Sequence, residues 1–378
     1  MKRLVLLGGG HAHVQVVKAF GSEPPPDTSV VLINRNRFTP YSGMLPGLIA
    51  GHYSHAECHI DLAWLCAQSD IAFVEQEATR LDLDGRRVYC ADGRLYSFDV
   101  LSIDTGSTPP LDGVPGASEH ALPVKPIDTF LPKARALVAA CCAPGEHSVA
   151  VVGGGAAGFE VLLALVYRIE CQHPGHVTVR FHWVTDTEDV LPTFARRVRN
   201  SAQRILARRR VSVHTSARVE KVTQQGIELA SGRRVDAAHV IWVTGAQPAS
   251  MFTTAGLRTD DRGFIAVDPA LRSLSHPSVF ACGDVAGVLA YPRPKAGVFA
   301  VRQGPPLTRN LRLALANREP LPFAPQERFL VILSAGERYA IATKGCYLLE
   351  GAWVWTWKDW IDHRFMQRFQ PLVRTPVG

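Results

Sequence analysis

Two strand–glycine–helix signatures, and a Gly-Asp pair that closes a later strand, predict an α/β chain. The plan is two Rossmann-like dinucleotide-binding domains followed by a C-terminal strand-plus-amphipathic-helix appendage. The first signature is KRLVLLGGGHAH at residues 2–13, the second is HSVAVVGGGAAGFE at residues 147–160, and the pair is Gly283-Asp284. In each signature a short apolar run, the pattern of a strand buried on both faces, stops at a glycine cluster where a helical pattern begins. Such a turn lets the backbone approach a pyrophosphate, and the unpaired N–H groups at the helix start favour its negative charge. One such match arises by chance; two on the same plan in one chain are hard to ascribe to accident.

The chain has 378 residues, more than one hydrophobic core usually holds. The expected division is 1–112 with 262–320 as one domain, 113–261 as a second, and 321–378 as the appendage. With 47% hydrophobic residues and no low-complexity tract, the composition is that of a globular protein. No apolar run reaches the roughly 18 residues of a spanning helix. The first apolar run is interrupted by glycines too early for a secretory signal. A cytoplasmic protein is expected, with peripheral contact on the inner membrane face as the alternative. Cysteines at 58, 66, 90, 141, 142, 171, 282 and 346 form no Cys-x-x-Cys pair, so neither a metal site nor a thioredoxin-like site is indicated. Much of the net charge of +7 sits in residues 196–210, RRVRNSAQRILARRR. That pattern is an amphipathic helix with a solvated basic face, which accounts for the charge without nucleic acid. Anionic lipid is the alternative partner.

Taken in order, SVVLI at 29–33 is a second buried strand. In dinucleotide folds an acid at the end of this strand binds ribose hydroxyls; here Asn34 stands in its place and Arg35 follows. Asn34 can bond a hydroxyl without charge assistance, and Arg35 is either a phosphate or adenine contact or a surface charge. Residues 38–51, FTPYSGMLPGLIAG, are too apolar for an idle loop. They are placed against a flat aromatic ligand, with core packing as the alternative. Residues 71–94 carry hairpin signals, and DVLSIDTG at 99–106 is a strand ending at glycine. Prolines and glycines over 110–126 mark a domain crossing.

The second fingerprint has Gly153, Gly155 and Gly158 at full spacing, whereas the first has His13 in the third glycine place. Its partner strand, VTVRFHWV, ends at Val184, and Asp186 is chosen for the ribose contact. No Arg or Lys stands there to meet a 2′-phosphate, which favours NADH over NADPH. VIWVTGAQP at 240–248, containing Gly245, repeats the strand-to-Thr-Gly ending of the first half. HPSVFACGDVA at 276–286 places Asp284 after a strand-terminal glycine, suited to sugar hydroxyls. PKAGVFAVRQG at 294–304 starts a helix whose N-terminus points at the same ligand. In the tail, residues 329–351 read as two strands. Trp353, Trp357, Trp360, Ile361, Phe365 and Phe369 then fall near helical spacing with Lys358, Arg364 and Arg368 interleaved. This helix either lies in a membrane interface over residues 353–372 or packs on the first domain or on a second copy of the chain.

With these elements in place the chain resembles the two-dinucleotide-binding-domain flavoproteins. Among them it resembles the type II NADH:quinone oxidoreductases and the wider pyridine nucleotide–disulfide oxidoreductases. The resemblance implies FAD in the first cradle and NADH or NADPH in the second. It implies Gly8, Gly10, His11, Asn34, Arg35, Gly283, Asp284 and Lys295 toward FAD, with Asp284 on the ribityl chain. It implies Gly153, Gly155, Gly158, Glu160, Asp186 and Gly245 toward NADH. Glu160 would lie by the nicotinamide, and Lys295 and Gln303 near the flavin or the acceptor, which makes these three the candidate catalytic residues. The implied reaction passes hydride from NADH to flavin and then electrons to a quinone or other small acceptor. The motifs TPYSGMLPG, GGGHAH, PKAGVFAVRQGPPL and WKDWIDHRFM resemble more particularly the oxidoreductase module associated with or fused to selenophosphate synthetase. That implies two alternatives: a reductase in selenium or sulfur metabolism, or a redox-sensing partner of the synthetase. The Cys-x4-Cys relay of the disulfide reductases is missing from residues 38–51, so a thiol relay is not expected.

Overall fold

The computed structural model describes residues 1–172 and 178–370. The chain begins with β1 (Lys2–Leu7), α1 (His13–Ser22), β2 (Thr28–Asn34), α2 (Leu45–Ala50), β3 (Ala72–Glu75) and β4 (Val100–Ile103). It continues through β5 (Ala121–Pro123), α3 (Ile127–Cys141), β6 (Glu146–Val152), α4 (Ala156–Gln172), β7 (Thr178–Val184), α5 (Arg196–Arg208), β8 (Ser212–His214) and β9 (His239–Trp242). β10 (Val279–Ala281) and α6 (Gly297–Leu315) then return to the first layer of structure.

Two five-stranded parallel sheets result, ordered β10-β4-β1-β2-β3 and β5-β9-β6-β7-β8. In each, the fingerprint strand is central, as the sequence signatures require. Leu4 to Leu7 and Val149 to Val152 are buried on both faces, which only a covered parallel sheet provides. Each half also carries a small three-stranded antiparallel sheet. One comprises Ala78–Asp82, Arg87–Cys90 and Leu95–Ser97; the other comprises Val219–Thr223, Gly226–Leu229 and Arg234–Asp236. The repeated plan of strand, glycine turn, helix and hairpin is therefore present twice. The two Thr-Gly strand endings meet directly: Thr108 N–H donates to Gln247 O at 2.9 Å, and Gln247 N–H donates to Thr108 O at 2.7 Å.

The tail holds three strands, not the expected two: β11 (Val331–Ser334), β12 (Ala340–Lys344) and β13 (Tyr347–Gly351), joined as an antiparallel meander. The extra reversal occurs at Gly345, whose φ of 63° suits glycine in a tight turn. α7 (Ala352–Met366) follows and packs on the protein through Val354, Trp355, Phe365 and Met366. Of the two alternatives for this helix, packing on the protein is what the described residues show, and Lys358 is buried with it. Trp353 and Trp360 remain 56% and 55% exposed. The last two positions of the 353–372 stretch lie outside the described residues. No helix among the described residues is long and apolar enough to cross a membrane.

Candidate active site

The first cradle is a turn pressed onto a buried acid. Gly8 has φ 93°, and a β-carbon there would stand 2.5 Å from the Asp104 carbonyl oxygen. Asp104 follows β4, and its Oδ2 accepts N–H bonds from Ala12 at 2.9 Å and His13 at 3.1 Å. It thus caps the first turn of α1 from a distant strand. Burial pushes its carboxyl up to about 7, against the two amides that favour the charged form.

His13, the irregular member of the fingerprint, is a cross-tie. Nδ1 lies 2.6 Å from Gly8 O and Nε2 lies 2.8 Å from Ser102 Oγ. A carbonyl can only accept, so Nδ1 carries the hydrogen and Nε2 accepts from the serine. Burial lowers His13 to about 4, so the ring is neutral at pH 7. Asn34 also serves the turn: its Oδ1 accepts Gly9 N–H at 2.9 Å, and its Nδ2 donates to Asn36 O at 2.7 Å. The anticipated open hydroxyl acceptor is thus already engaged. Arg35 pairs with Asp128 at 2.5 Å and is 41% exposed.

These residues line a cleft of about 350 Å³ that runs from Asn34 and Arg35 past Gly8, Gly10 and His11 to Ser42, Lys125, Asp284 and Gly297. The lining fits a long nucleotide: tight glycines at a helix start, with an acid further along. Burial alone would raise Asp284, but the Lys125 ammonium at 2.7 Å, with His11 and Lys295 behind it, holds the carboxyl below its usual range. Gln303 does not face the cleft as a free group; its Oε1 accepts the Gly283 N–H at 2.6 Å and fixes the Gly-Asp turn. Lys295 lies within electrostatic reach of Asp284. It donates to Ala286 O, lies 3.7 Å from the centre of the Phe264 ring, and borders a neighbouring cavity instead of the cleft. Burial lowers it to about 8.

In the second cradle Gly153 has φ 126° and its N–H donates to Val184 O at 2.8 Å. A β-carbon on Gly158 would meet Gly153 O at 2.1 Å, so the third glycine lets α4 start against the strand. Trp183 Nε1 donates to that same oxygen at 2.8 Å. Gly155 has nothing within 4 Å of its β-position and is the open side of the turn. Asp186 is exposed just after β7. Gly245 turns with φ 63° beside Pro110.

Glu160, on the first turns of α4, reaches the tail. Its Oε1 accepts Ser334 N–H at 2.8 Å, and burial pushes it up to about 7 while Lys358 opposes the shift. Lys358 Nζ donates to Asp362 Oδ2 at 2.5 Å and to Gly43 O at 2.6 Å. Burial would lower this lysine, but Asp362 and Glu160 outweigh it. Beside the cluster, burial and the nearby Asp362 carboxylate push the Tyr41 hydroxyl up, the Tyr41 ring stacks on Phe365 at 4.7 Å, and His11 sits 5.2 Å from it. Burial lowers His11 to about 4. The apolar 38–51 stretch thus packs under α7 at one edge of the cleft. Asp104, Lys125, Tyr41 and the Lys358–Asp362 pair were missed from sequence. The one available signal was an acid ending the mostly apolar β4, where a charge needs a buried donor set.

Two glycine cradles on paired parallel-sheet domains define a two-nucleotide oxidoreductase architecture. The chain belongs to the pyridine nucleotide-disulphide oxidoreductase family, whose model matches residues 2–304. It is accordingly an FAD-dependent enzyme that takes electrons from a pyridine nucleotide. An NADH dehydrogenase-like protein of Mycobacterium tuberculosis is 27% identical over 296 residues, covering 76% of this chain and 74% of the relative. Demethylphylloquinone reductase of Synechocystis is 25% identical, covering 75% of this chain and 71% of the relative. Among solved structures, NDH2 from Plasmodium falciparum in complex with NADH superposes with a TM-score of 0.81 at 15% identity, covering 97% of this chain and 98% of that one. The sulfide:quinone oxidoreductase of Aquifex aeolicus superposes with a TM-score of 0.84 at 18% identity, covering 98% and 92%. At these identities the structures establish the fold.

Proposed function

We propose that the protein is an NADH dehydrogenase that delivers electrons to a quinone. The observation that carries this is the meeting of Glu160, from the second cradle's helix, with Lys358, Asp362 and Gly43 at the edge of the first cleft. The helix that starts at the second cradle thereby reaches residues adjoining Ser42 of the first cleft. Bound FAD supplies the ring that takes hydride from NADH and returns the electron pair to the acceptor. Gly8, Gly10 and the start of α1 hold its pyrophosphate, and Asp284 holds its ribityl hydroxyls. Gly153, Gly155 and Gly158 hold the NADH pyrophosphate, with Asp186 on the ribose.

A quinone needs two protons with its two electrons. Glu160, half protonated near neutrality, is the group we assign to proton delivery, with Lys358 and Asp362 packed beside it. Tyr41, His11 and Phe365 form a wall suited to a flat acceptor and exclude water. A thiol relay finds no support here: Cys58 is buried and its thiol is pushed up to about 12, which leaves no nucleophilic thiolate at neutral pH. Tyr347, Leu349, Trp353 and Trp360 are exposed on the tail, and Glu350 of the same hairpin pairs with Arg204 of the basic α5 at 3.0 Å. Exposed aromatics and a basic helix in one part of the chain support peripheral contact with an anionic membrane. The test is anaerobic: NADH added to flavin-loaded protein bleaches the flavin band, and a short-chain quinone restores it. An oxidised flavin after both NADH and NADPH would overturn the reading.

A second reading follows from the convergence of the 8–13, 39–47 and 357–366 motifs at His11, Tyr41, Gly43, Lys358 and Phe365. In it the acceptor is a selenium or sulfur species, or the protein docks on selenophosphate synthetase. Steady-state rates with selenite or glutathione-bound selenium above those with quinone would favour it.

A further inference from the structure

The two halves repeat one plan, and the repeat isolates what is peculiar to the first cradle. A β-carbon on Gly8 would meet the backbone of Asp104, and one on Gly153 would meet the backbone of Val243. Asp104 and Val243 are therefore counterparts, each at the strand ending that lies against its glycine turn. Gly10 and Gly155 are counterparts in the same way. The β-position of Gly155 has nothing within 4 Å, whereas that of Gly10 is filled by the Asp104 carboxylate. An acid stands in the first cradle where the second has a valine.

The same carboxylate backs a second turn. A β-carbon on Gly283 would stand 2.5 Å from Asp104 Oδ1, while Oδ2 holds the amides of Ala12 and His13. One side chain thus underlies the Gly8–Gly10 turn, the start of α1 and the Gly283-Asp284 turn. Gly8, Gly10, Asp104 and Asp284 all line the cleft.

No cation nearby is free to balance this acid. Burial lowers His11 and His13 to about 4, so both are neutral near pH 7. Lys125 is paired with Asp284, and burial pushes the Cys282 thiol up. Burial and Asp284 oppose charge on Asp104, while the His13 and Ala12 amides and the Cys282 thiol favour it. A further anion at the start of α1 competes for the same helix-end field and tips this balance toward the neutral acid.

We propose that Asp104 is a positioning residue for FAD that takes up one proton from solvent as the cofactor binds. The inference rests on the reading that the first cradle holds the FAD pyrophosphate. Linkage is reciprocal, so the proton that FAD draws in also tightens FAD. At a pH where the carboxyl is already neutral no proton is taken up, and the coupling appears as pH rises past about 7.

The test is equilibrium release of FAD from diluted, flavin-loaded protein, read by flavin fluorescence over about pH 6 to 9. The wild-type dissociation constant is expected to rise toward about tenfold per pH unit above neutrality. Asp104→Asn, whose amide stands in for the neutral acid, is expected to lack this rise. If the variant does not hold FAD, an indicator dye in weakly buffered solution reads the proton directly when FAD is added back to the wild-type apoprotein. Uptake approaching one proton per FAD is expected above about pH 8. Equal pH slopes in wild type and variant, or no proton uptake by the wild type, would overturn the proposal. Failure of the wild type to hold FAD at any pH would count instead against the assignment of the first cradle.

Discussion

The carboxylate of Asp104 occupies the space that a β-carbon on Gly10 would need, its Oδ1 2.3 Å from that position. The same carboxylate holds the first two amides at the start of α1. Gly10→Ala therefore displaces the acid and the helix start together. The expected cost is about 1–3 kcal/mol of stability, with loss of FAD from the purified protein, read as the ratio of flavin to protein absorbance. Gly155→Val, at an open position, is expected to retain FAD and lose reduction by NADH. Asp284→Ala is expected to shed FAD. Equal FAD loss in the Gly155 and Asp284 variants would contradict two separate cradles.

Asp104 also makes stability depend on pH. Its folded-state value of about 7 lies above the ordinary 3.8, so the folded chain holds this proton longer than the unfolded chain does. The favourable contribution is complete below the unfolded value and fades as pH rises toward 7. Asp104→Asn removes that dependence. Urea unfolding across a pH series should show wild type losing ground to the variant from about pH 4 to 7, with a constant difference above.

Glu160 is raised to about 7 by burial, and as a proton source it empties as pH passes that value. Acceptor reduction by the wild type should slow above neutrality, while Glu160→Gln should be slower overall and lack this inflection. Stopped-flow oxidation of the reduced enzyme by quinone, measured at several pH values, isolates the step. An unchanged inflection in the variant would remove Glu160 from proton delivery.

The Lys358–Asp362 pair sits almost wholly out of water. Breaking it from one side leaves an uncompensated buried charge, which costs about 3–5 kcal/mol. Lys358→Met is expected to lower the denaturant midpoint accordingly, and Lys358→Met with Asp362→Leu to recover much of the loss. A double variant no better than the single would mean that the backbone contact at Gly43, and not the charge, dominates.

The two cradles were legible because their information is local. A buried strand, a glycine turn and a helix start are encoded within a dozen residues, and Gly153, Gly155 and Gly158 each have a steric or open role at their place in the turn. What escaped notice was set by distance in the chain. Nothing near Asp104 announces that its partners are the amides of Ala12 and His13. Helical spacing in the tail revealed an amphipathic helix but not which face docks, so the buried place of Lys358 could not be read from it. The third tail strand was missed because the Lys344–Gly345 reversal was not taken as a turn. The sequence likewise could not show that Gln303 bonds Gly283 N–H or that Lys295 bonds Ala286 O, because both contacts depend on side-chain direction.

The reciprocal pair of amide bonds between Thr108 and Gln247 behaves as a clasp at the crossing point of the two halves. It consists of main-chain atoms alone, so it is indifferent to which side chains stand there, short of proline. Proline at either position would delete one N–H and leave the two halves joined there by a single bond.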